Sequence, residues 1–294
     1  TEFRVDGLRL DAVHAIEDEG WLPELARNIR RVVPPPRHVH LVLENDDNCA
    51  DLLRAGYDAQ WNDDAHHVLH HLLTGERQGY YQDYADDPAG KLARSLGTGF
   101  VYQGETPPTR GEPRGQDSSG LPPTAFVNFL QNHDQIGNRG WGERLTALDS
   151  VDPSALRAAI AALLLAPQIP LVFMGEECGA RAPFLYFTSH GDPELARAVR
   201  EGRRAEFPAF AGSDGHPVPD PNEPGTYDRS NPWPSPDDED AGAWRDYYRA
   251  LLQVRARLIA PRLMGARTQG AAELGPHAVR AAWRMNDSAI LTLY

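Results

Sequence analysis

Three short apolar runs in this chain each lead into an acidic residue. They cover residues 5–11, 38–44 and 126–134, and they end at Asp11, Glu44 and Asp134. Apolar runs of this length, rich in Val, Leu and Phe, are typical of buried β-strands. In a parallel α/β barrel the carboxyl ends of all strands open onto one face, where the catalytic residues lie. The pattern therefore predicts an α/β fold with the three carboxylates on a common face.

Apolar residues recur at helical spacing between and after these runs. In the first such segment Leu22, Leu25 and Ile29 share one helix face, and a run of prolines ends the helix. A later helix begins at Asp152-Pro153, because Asp caps a helix and Pro suits its first turn. The predicted helices cover residues 21–30, 51–55, 64–73, 155–166, 194–206 and 244–258, and further strands cover 57–62 and 169–177.

Arg9 and Asp11 stand two residues apart in the first predicted strand, so their side chains point to the same face. On a face that lines a pocket, the guanidinium would hold the carboxylate ionised, as a covalent glycosidase nucleophile must be. A structural ion pair at a strand end explains the two residues equally well. This stretch taken alone leaves both interpretations open.

The three runs together resemble the strand-4, strand-5 and strand-7 motifs of the α-amylase family of glycoside hydrolases. The matching segments are Gly7 to Asp11, Leu41 to Glu44 and Asn132 to Asp134. The resemblance implies a retaining mechanism, in which two carboxyl groups stand about 5–5.5 Å apart. It assigns nucleophilic attack to Asp11, proton donation to Glu44 and stabilisation of the transition state to Asp134. Arg9 and His133 would bind the sugar at the cleavage point.

Longer segments resemble the maltooligosyltrehalose trehalohydrolases in particular. These segments are residues 9–14, 60–67, 133–138 and 201–207, and the resemblance runs through almost the whole chain. Those enzymes hydrolyse the α-1,4 bond next to the terminal trehalose unit of maltooligosyl-trehalose and release trehalose. The resemblance implies a substrate site that includes, besides Arg9 and His133, the residues His14, Asn62, Asp63, Asp64, His66, Gln135 and Asn138.

Two other functions remain as alternatives. A 1,4-α-glucan branching enzyme has the same three carboxylates but transfers the glycosyl unit to a sugar hydroxyl instead of water, and only the acceptor side of the site separates the two reactions. A non-catalytic barrel that binds glucans would have lost one of the carboxylates, and all three are present.

The same resemblance implies a (β/α)8 TIM-type barrel followed by a β-sandwich domain. Residues 1–260 would form the barrel from its fourth strand onward, and residues 261–294, with alternating apolar and polar positions, the start of the C-terminal domain. A closed barrel needs three more strands, so we expect sequence before Thr1. Residues 75–123 and 212–242 are rich in glycine, proline and polar residues, and we predict them as long loops.

The charge and the hydropathy of the chain indicate which partners it is unsuited to bind. The formal net charge of −13 argues against nucleic acid or an anionic membrane as the main partner, since both attract positive charge. No apolar run approaches the roughly 20 residues that cross a bilayer. A neutral sugar suits an acidic protein, and the residues do not determine the oligomeric state.

Cysteines, histidines and acidic residues are the candidate metal ligands of this chain. Cys49 and Cys178 are too few and too isolated for a disulfide framework or a cysteine metal site, so a reducing cytoplasm is expected. Histidines in residues 66–71 recur at a spacing that can bind metal, but packing of the helix beside the sugar cleft explains them better. Acid-rich pairs such as Asp46-Asp47 lack the ligand spacing of a calcium loop. We therefore predict no metal and no cofactor.

Overall fold

Five parallel strands form the central sheet. The computed structural model describes residues 3, 5–18, 20–207, 217–233 and 239–294. The strands follow one another in chain order across the sheet, and the register places Leu10 beside Leu43, so the first two strands end side by side. The strands are β1 (Gly7–Leu10), β2 (His40–Leu43), β3 (Ala59–Trp61), β4 (Phe126–Asn128) and β5 (Ile169–Pro170).

Apolar side chains cover the sheet on both faces, as expected for parallel strands. Leu41 and Leu43 belong to one core cluster together with Phe126. Val42, which lies between them in β2, packs instead against a second cluster that includes Phe129. Because successive side chains of a strand point to opposite faces, these two clusters bury β2 from both sides.

The predicted helices are all present. The first ends at Val32, shortly before the prolines, and the last passes into a π-helical turn at Arg255–Ile259. Among the described residues, no helix combines the length and the apolar character needed to cross a membrane. The helices are α1 (Trp21–Val32), α2 (Ala50–Arg54), α3 (Asp63–Thr74), α4 (Pro88–Thr98), α5 (His133–Gly137), α6 (Pro153–Leu165), α7 (Pro193–Glu206), α8 (Pro224–Arg229) and α9 (Glu239–Val254).

The prediction of a long loop over residues 75–123 is wrong in part. A 3-10 helix spans Gly79–Tyr84, and α4 follows it. Asp87 caps α4, because its side chain accepts a hydrogen bond from the backbone N–H of Gly90, and Pro88 occupies the first turn. The predicted loop over residues 212–242 likewise contains α8, and residues 212–216 and 234–238 of that stretch lie outside the described residues.

Two predicted strands are shorter than the apolar runs suggested. β4 stops at Asn128, and β5 contains two residues, after which the N–H of Leu171 donates to the carbonyl of Asn128 at 2.9 Å. Asp134 was predicted at the end of a strand, but it lies in the first turn of α5. An apolar sequence alone does not define how far the backbone pairing extends, which is why the predicted strand was too long.

A three-stranded antiparallel sheet follows α9. Trp283 is fully buried in it and packs with Leu96 of α4 and with Ile259. A Cβ atom placed on Gly97 of α4 would lie 3.1 Å from the Cβ of Ala271, so the glycine permits close contact between helix and sheet. The strands are β6 (Arg267–Gly275), β7 (Ala278–Arg284) and β8 (Ile290–Leu293), which confirms the β-structure predicted for this region.

The chain divides into two compact units. The first contains residues 1–130, 157–171 and 251–294 and therefore holds both sheets, and the second contains residues 131–156 and 172–250. The predicted domain bounds, 1–260 and 261–294, stay a prediction.

Candidate active site

Asp11 follows the last residue of β1, and 74% of its side chain is exposed. Arg9 Nη1 donates a hydrogen bond of 2.6 Å to Oδ1 of Asp11. The guanidinium carbon of Arg9 also lies 4.0 Å from the centroid of the Trp61 ring. A guanidinium that stacks on a ring and binds a carboxylate is oriented from two sides. The predicted Arg–Asp pair is thus present, and its carboxylate is accessible.

Glu44 follows the last residue of β2, beside the end of β1. Its backbone N–H donates to the carbonyl of Leu10 at 2.9 Å, and its own carbonyl accepts a bond of 3.1 Å from Val13 N–H. Its carboxylate Oε2 accepts a hydrogen bond of 2.5 Å from the backbone N–H of Ala12. Backbone and side chain of Glu44 are therefore fixed against the residues that flank Asp11.

Ala12 adopts an uncommon backbone conformation at this point. Its φ and ψ are 46° and 44°, which is the left-handed region that non-glycine residues seldom enter. In this conformation the N–H of Ala12 donates to the carboxylate of Glu44. Strained backbone held by its surroundings is frequent at functional sites, and here it lies directly after Asp11.

Asp63 lies at the start of α3 and is only partly exposed. Burial, then the negative charges of Glu44, Asp64 and Asp46, raise its pKa to about 7, although Arg114 opposes the shift. The site therefore contains a carboxyl group that exchanges its proton near neutral pH. The predicted contact of Asp63 with substrate needs an accessible carboxyl group, and part of its surface is exposed.

Asp64 is fully buried and forms the centre of a polar network. Its Oδ1 accepts hydrogen bonds from Tyr84 Oη at 2.5 Å and from Arg114 Nη1 at 2.8 Å. Its Oδ2 accepts bonds of 2.6 and 3.1 Å from the backbone N–H groups of Val101 and Tyr102. Asn48 Nδ2 also donates to Oδ2, at 2.8 Å. All five partners are protein groups, so we assign Asp64 a supporting role in place of the predicted contact with substrate.

Arg114 connects this network to the segment that follows Glu44. Its Nε donates to the carbonyl of Asp46 at 2.7 Å, while Nη1 binds Asp64. The exposed His14, a predicted substrate residue, accepts a 3.3 Å bond at Nδ1 from the N–H of Asp46. Sequence reasoning missed Arg114, because an arginine in a polar stretch carries no signal that it is buried beside a carboxylate.

Asn62 and His66 were also predicted to bind substrate, and both are buried. Asn62 Nδ2 donates to the carbonyl of Gly99 at 2.9 Å and to Oδ1 of Asn128 at 3.0 Å. His66 Nδ1 donates to the carbonyl of Leu130 at 2.8 Å, and burial lowers the pKa of His66 well below its ordinary value. Their polar atoms are engaged inside the protein, so we assign these two residues to support of the site as well.

In the second unit, Asp134 and His133 form the first turn of α5. The side chain of Asn132 caps this helix by accepting a 2.8 Å bond from Gln135 N–H. His133 Nε2 lies 3.5 Å from Asp134 Oδ2, and about half of each side chain is exposed. Asn138 ends the helix and is also exposed. The four predicted residues of this segment thus present accessible polar groups within one short helix.

The contacts of Glu176 indicate a structural role. Its Oε1 accepts a 2.7 Å bond from Gln131 Nε2, and Oε2 accepts a 3.1 Å bond from the N–H of Phe173. Burial raises its pKa to about 7. Glu176 therefore fixes Gln131, two residues before the start of α5, and does not face solvent.

Known proteins with similar sequences include several that carry the same enzyme name. The malto-oligosyltrehalose trehalohydrolase of Arthrobacter ramosus is 40% identical over 269 residues, which are 87% of this chain and 46% of that protein. The enzyme of the same name from Saccharolobus solfataricus is 44% identical over 211 residues, which are 70% of this chain and 36% of that protein. The chain thus spans less than half the length of these curated relatives. No protein-family model matches it.

A solved structure agrees with these relatives. The 1.4 Å crystal structure of a Salmonella typhimurium protein assigned as an alpha amylase superposes with a TM-score of 0.88 at 42% identity, over 99% of this chain and 51% of that one. The predicted resemblance to the maltooligosyltrehalose trehalohydrolases and to the α-amylase group is therefore confirmed.

Proposed function

From this similarity we propose that the protein is a retaining glycoside hydrolase that releases trehalose from maltooligosyl-trehalose. The observation that carries the proposal is the placement of Asp11 and Glu44 directly after two adjacent parallel strands, with Ala12 N–H bound to the Glu44 carboxylate. Two carboxyl groups on neighbouring strand ends are what a double displacement at an anomeric carbon requires. The names of the relatives support trehalose as the product.

In the first step, Asp11 attacks the anomeric carbon of the glucosyl unit that precedes trehalose. Its carboxylate is accessible, and the ion pair with Arg9 at 2.6 Å orients it for this attack. Glu44 gives a proton to the glycosidic oxygen as that bond breaks, so trehalose leaves with a free hydroxyl. The product of this step is a glycosyl ester on Asp11.

In the second step, water replaces the ester. Glu44, now ionised, takes a proton from the water, whose oxygen attacks the same carbon and frees Asp11. Two inversions give net retention. Asp134 is proposed to bind the hydroxyls of the distorted sugar, and the remaining proposed sugar contacts are Arg9, His14, Asp63, His133, Gln135 and Asn138.

We also propose that the five parallel strands form part of the closed (β/α)8 barrel predicted from the sequence. The TM-score of 0.88 to the Salmonella structure supports this architecture. For the location we propose the cytoplasm, because Cys49 and Cys178 are both free thiols.

The test uses the complete protein with maltotriosyl-trehalose and, separately, amylose, followed by chromatography of the products. We expect trehalose from the first substrate and little change in the second. New α-1,6 branches in amylose would favour the branching reaction instead, since there a sugar hydroxyl takes the place of water. Binding of either glucan without any product would leave only the non-catalytic barrel.

A further inference from the structure

A second cluster of polar residues lies at the other end of the strands. His38 and His40 flank Val39 at the start of β2, and Asp58 directly precedes β3. β2 and β3 are adjacent and parallel, so their amino ends share one edge of the sheet. Asp11 and Glu44 follow the carboxyl ends of strands in the same sheet, and the proposed catalytic groups therefore play no part in this cluster.

The three side chains converge. Residues two apart in an extended chain point to the same side, and the His38 and His40 rings stand edge to face with centroids 4.8 Å apart. His38 Nε2 donates to Oδ1 of Asp58 at 2.6 Å. One nitrogen of each ring and one carboxylate oxygen all lie within 4.8 Å of one another. Ligand atoms around a tetrahedral zinc ion stand roughly 3.3 Å apart, so modest rotation of two exposed rings is enough.

Hydrogen bonds hold the carboxylate of Asp58 in position. Its Oδ2 accepts hydrogen bonds from the N–H of Leu41 at 2.7 Å and from Arg30 Nη2 at 2.6 Å. Donors that bind one oxygen of a carboxylate in this way orient it and leave its other oxygen for the ion.

The donor set indicates which ion would bind. Calcium and magnesium bind through several oxygen ligands, whereas this cluster offers one carboxylate, already shared with Arg30, and two imidazoles. Imidazole nitrogen suits zinc and its neighbours among the transition metals, which form stronger bonds to nitrogen. The positive charge of Arg30 further disfavours ions held by electrostatic attraction alone.

We propose that His38, His40 and Asp58 bind one divalent transition-metal ion of the zinc class, with water completing the coordination. The ion joins the amino ends of β2 and β3, so its binding free energy adds to the stability of the first unit. The metal site is separate from the proposed active site, so the proposal of metal binding can be tested independently of the proposed hydrolysis.

The experiment is calorimetric titration of the complete, metal-stripped protein with zinc chloride, and with magnesium chloride as the comparison ion. We expect one saturable zinc site and no magnesium binding at the same concentrations. His38→Ala and His40→Ala should each weaken zinc binding by at least roughly tenfold, the loss that follows even when only a hydrogen-bond partner of a ligand is removed. His277→Ala, which alters an exposed histidine outside the cluster, serves as the matched control and should bind zinc like the parent.

Thermal unfolding with and without zinc completes the test. Zinc should raise the Tm of the parent and of His277→Ala, but not that of His40→Ala, and all three should share one urea midpoint in the absence of metal. Unchanged zinc affinity in both cluster variants, or no saturable zinc binding by the parent, would overturn the proposal.

Discussion

The backbone N–H of Ala12 donates a hydrogen bond of 2.5 Å to Oε2 of Glu44. The donor belongs to the residue directly after Asp11, so a single bond joins the segment of the proposed nucleophile to the side chain of the proposed acid. Ala12 itself lies in the left-handed region, two residues beyond the end of the first strand.

Ala12→Gly should stabilise the protein by about 0.5–1 kcal/mol. Glycine adopts positive φ without steric cost, and relief of the 1–2 kcal/mol left-handed penalty exceeds the added freedom of the unfolded chain. The N–H and its bond to Glu44 remain. Urea unfolding of the parent and the variant gives the difference, and a clear loss of stability would show that the alanine methyl is needed at this position.

Asp11→Asn and Glu44→Gln should each lower kcat by about a thousandfold or more without unfolding the protein, since each removes a reacting group. Glu273→Gln, an exposed carboxylate on the C-terminal sheet, is the matched control and should keep full activity. In Asp11→Gly, added azide has room to attack the anomeric carbon from the vacated side and should give a β-glycosyl azide. Turnover of either isosteric variant near the parent rate would disprove the assigned role.

Arg114→Met should destabilise the protein by roughly 3–5 kcal/mol, because it leaves the buried carboxylate of Asp64 without its cation. Arg110→Met is the control: Arg110 pairs with Asp46 and Asp47 nearer the surface, and its loss should cost under about 1 kcal/mol. Adding Asp64→Asn to Arg114→Met should restore part of the stability. Urea unfolding midpoints of the parent, the two single variants and the double variant measure these changes in stability. Equal losses of stability for the two arginine variants would contradict the argument from burial.

Asp63 should make the protein less stable as the pH rises from about 4 to about 7. Its pKa is about 7 in the folded protein, against about 3.9 in an unfolded chain, so over that interval only the unfolded state gives up its proton. Below about pH 4 Asp63 is protonated in both the folded and the unfolded state, and the protein keeps its full stability. Above about pH 7 the free energy of unfolding has fallen by a few kcal/mol, and the loss is complete.

Unfolding free energies of the parent and Asp63→Asn, compared from pH 4 to 8, isolate this contribution, because the other titrating groups cancel. The advantage of Asp63→Asn should grow with pH up to about 7. In Glu44→Gln the same dependence should be weaker, since the Glu44 charge is one cause of the raised pKa. A difference that stays constant across this pH range would mean that Asp63 ionises normally.

The sequence predicts best where the chemistry is local. Asp11 and Glu44 each stand one residue beyond a strand, so locating the strand also locates the carboxylate. Asp134 lies six residues beyond the end of β4, in a helix that the apolar run concealed. The start of α4 could have been predicted, because Asp87-Pro88 is the same Asp-Pro pair that correctly predicted the start of α6. The glycines and tyrosines around it instead favoured the prediction of a loop.

Partners brought together from distant parts of the chain leave no such signal. Asp64 carries the same carboxylate as Asp63, one residue away, yet it is fully buried and bound by Arg114, fifty positions later. Nothing in the local pattern distinguishes the two, and the assignment of Asn62, Asp64 and His66 to sugar contact changed for that reason.

The packing of Trp283 against α4 has a consequence for biosynthesis. The first unit is assembled from three separated stretches of the chain, and the last of them contains the strand that covers Leu96. During translation, α4 leaves the ribosome long before Trp283 is made. The apolar side of α4 therefore stays exposed while nearly two hundred further residues are added. Contacts across such separations form slowly, and an exposed apolar surface of this kind is where chaperones act on nascent chains.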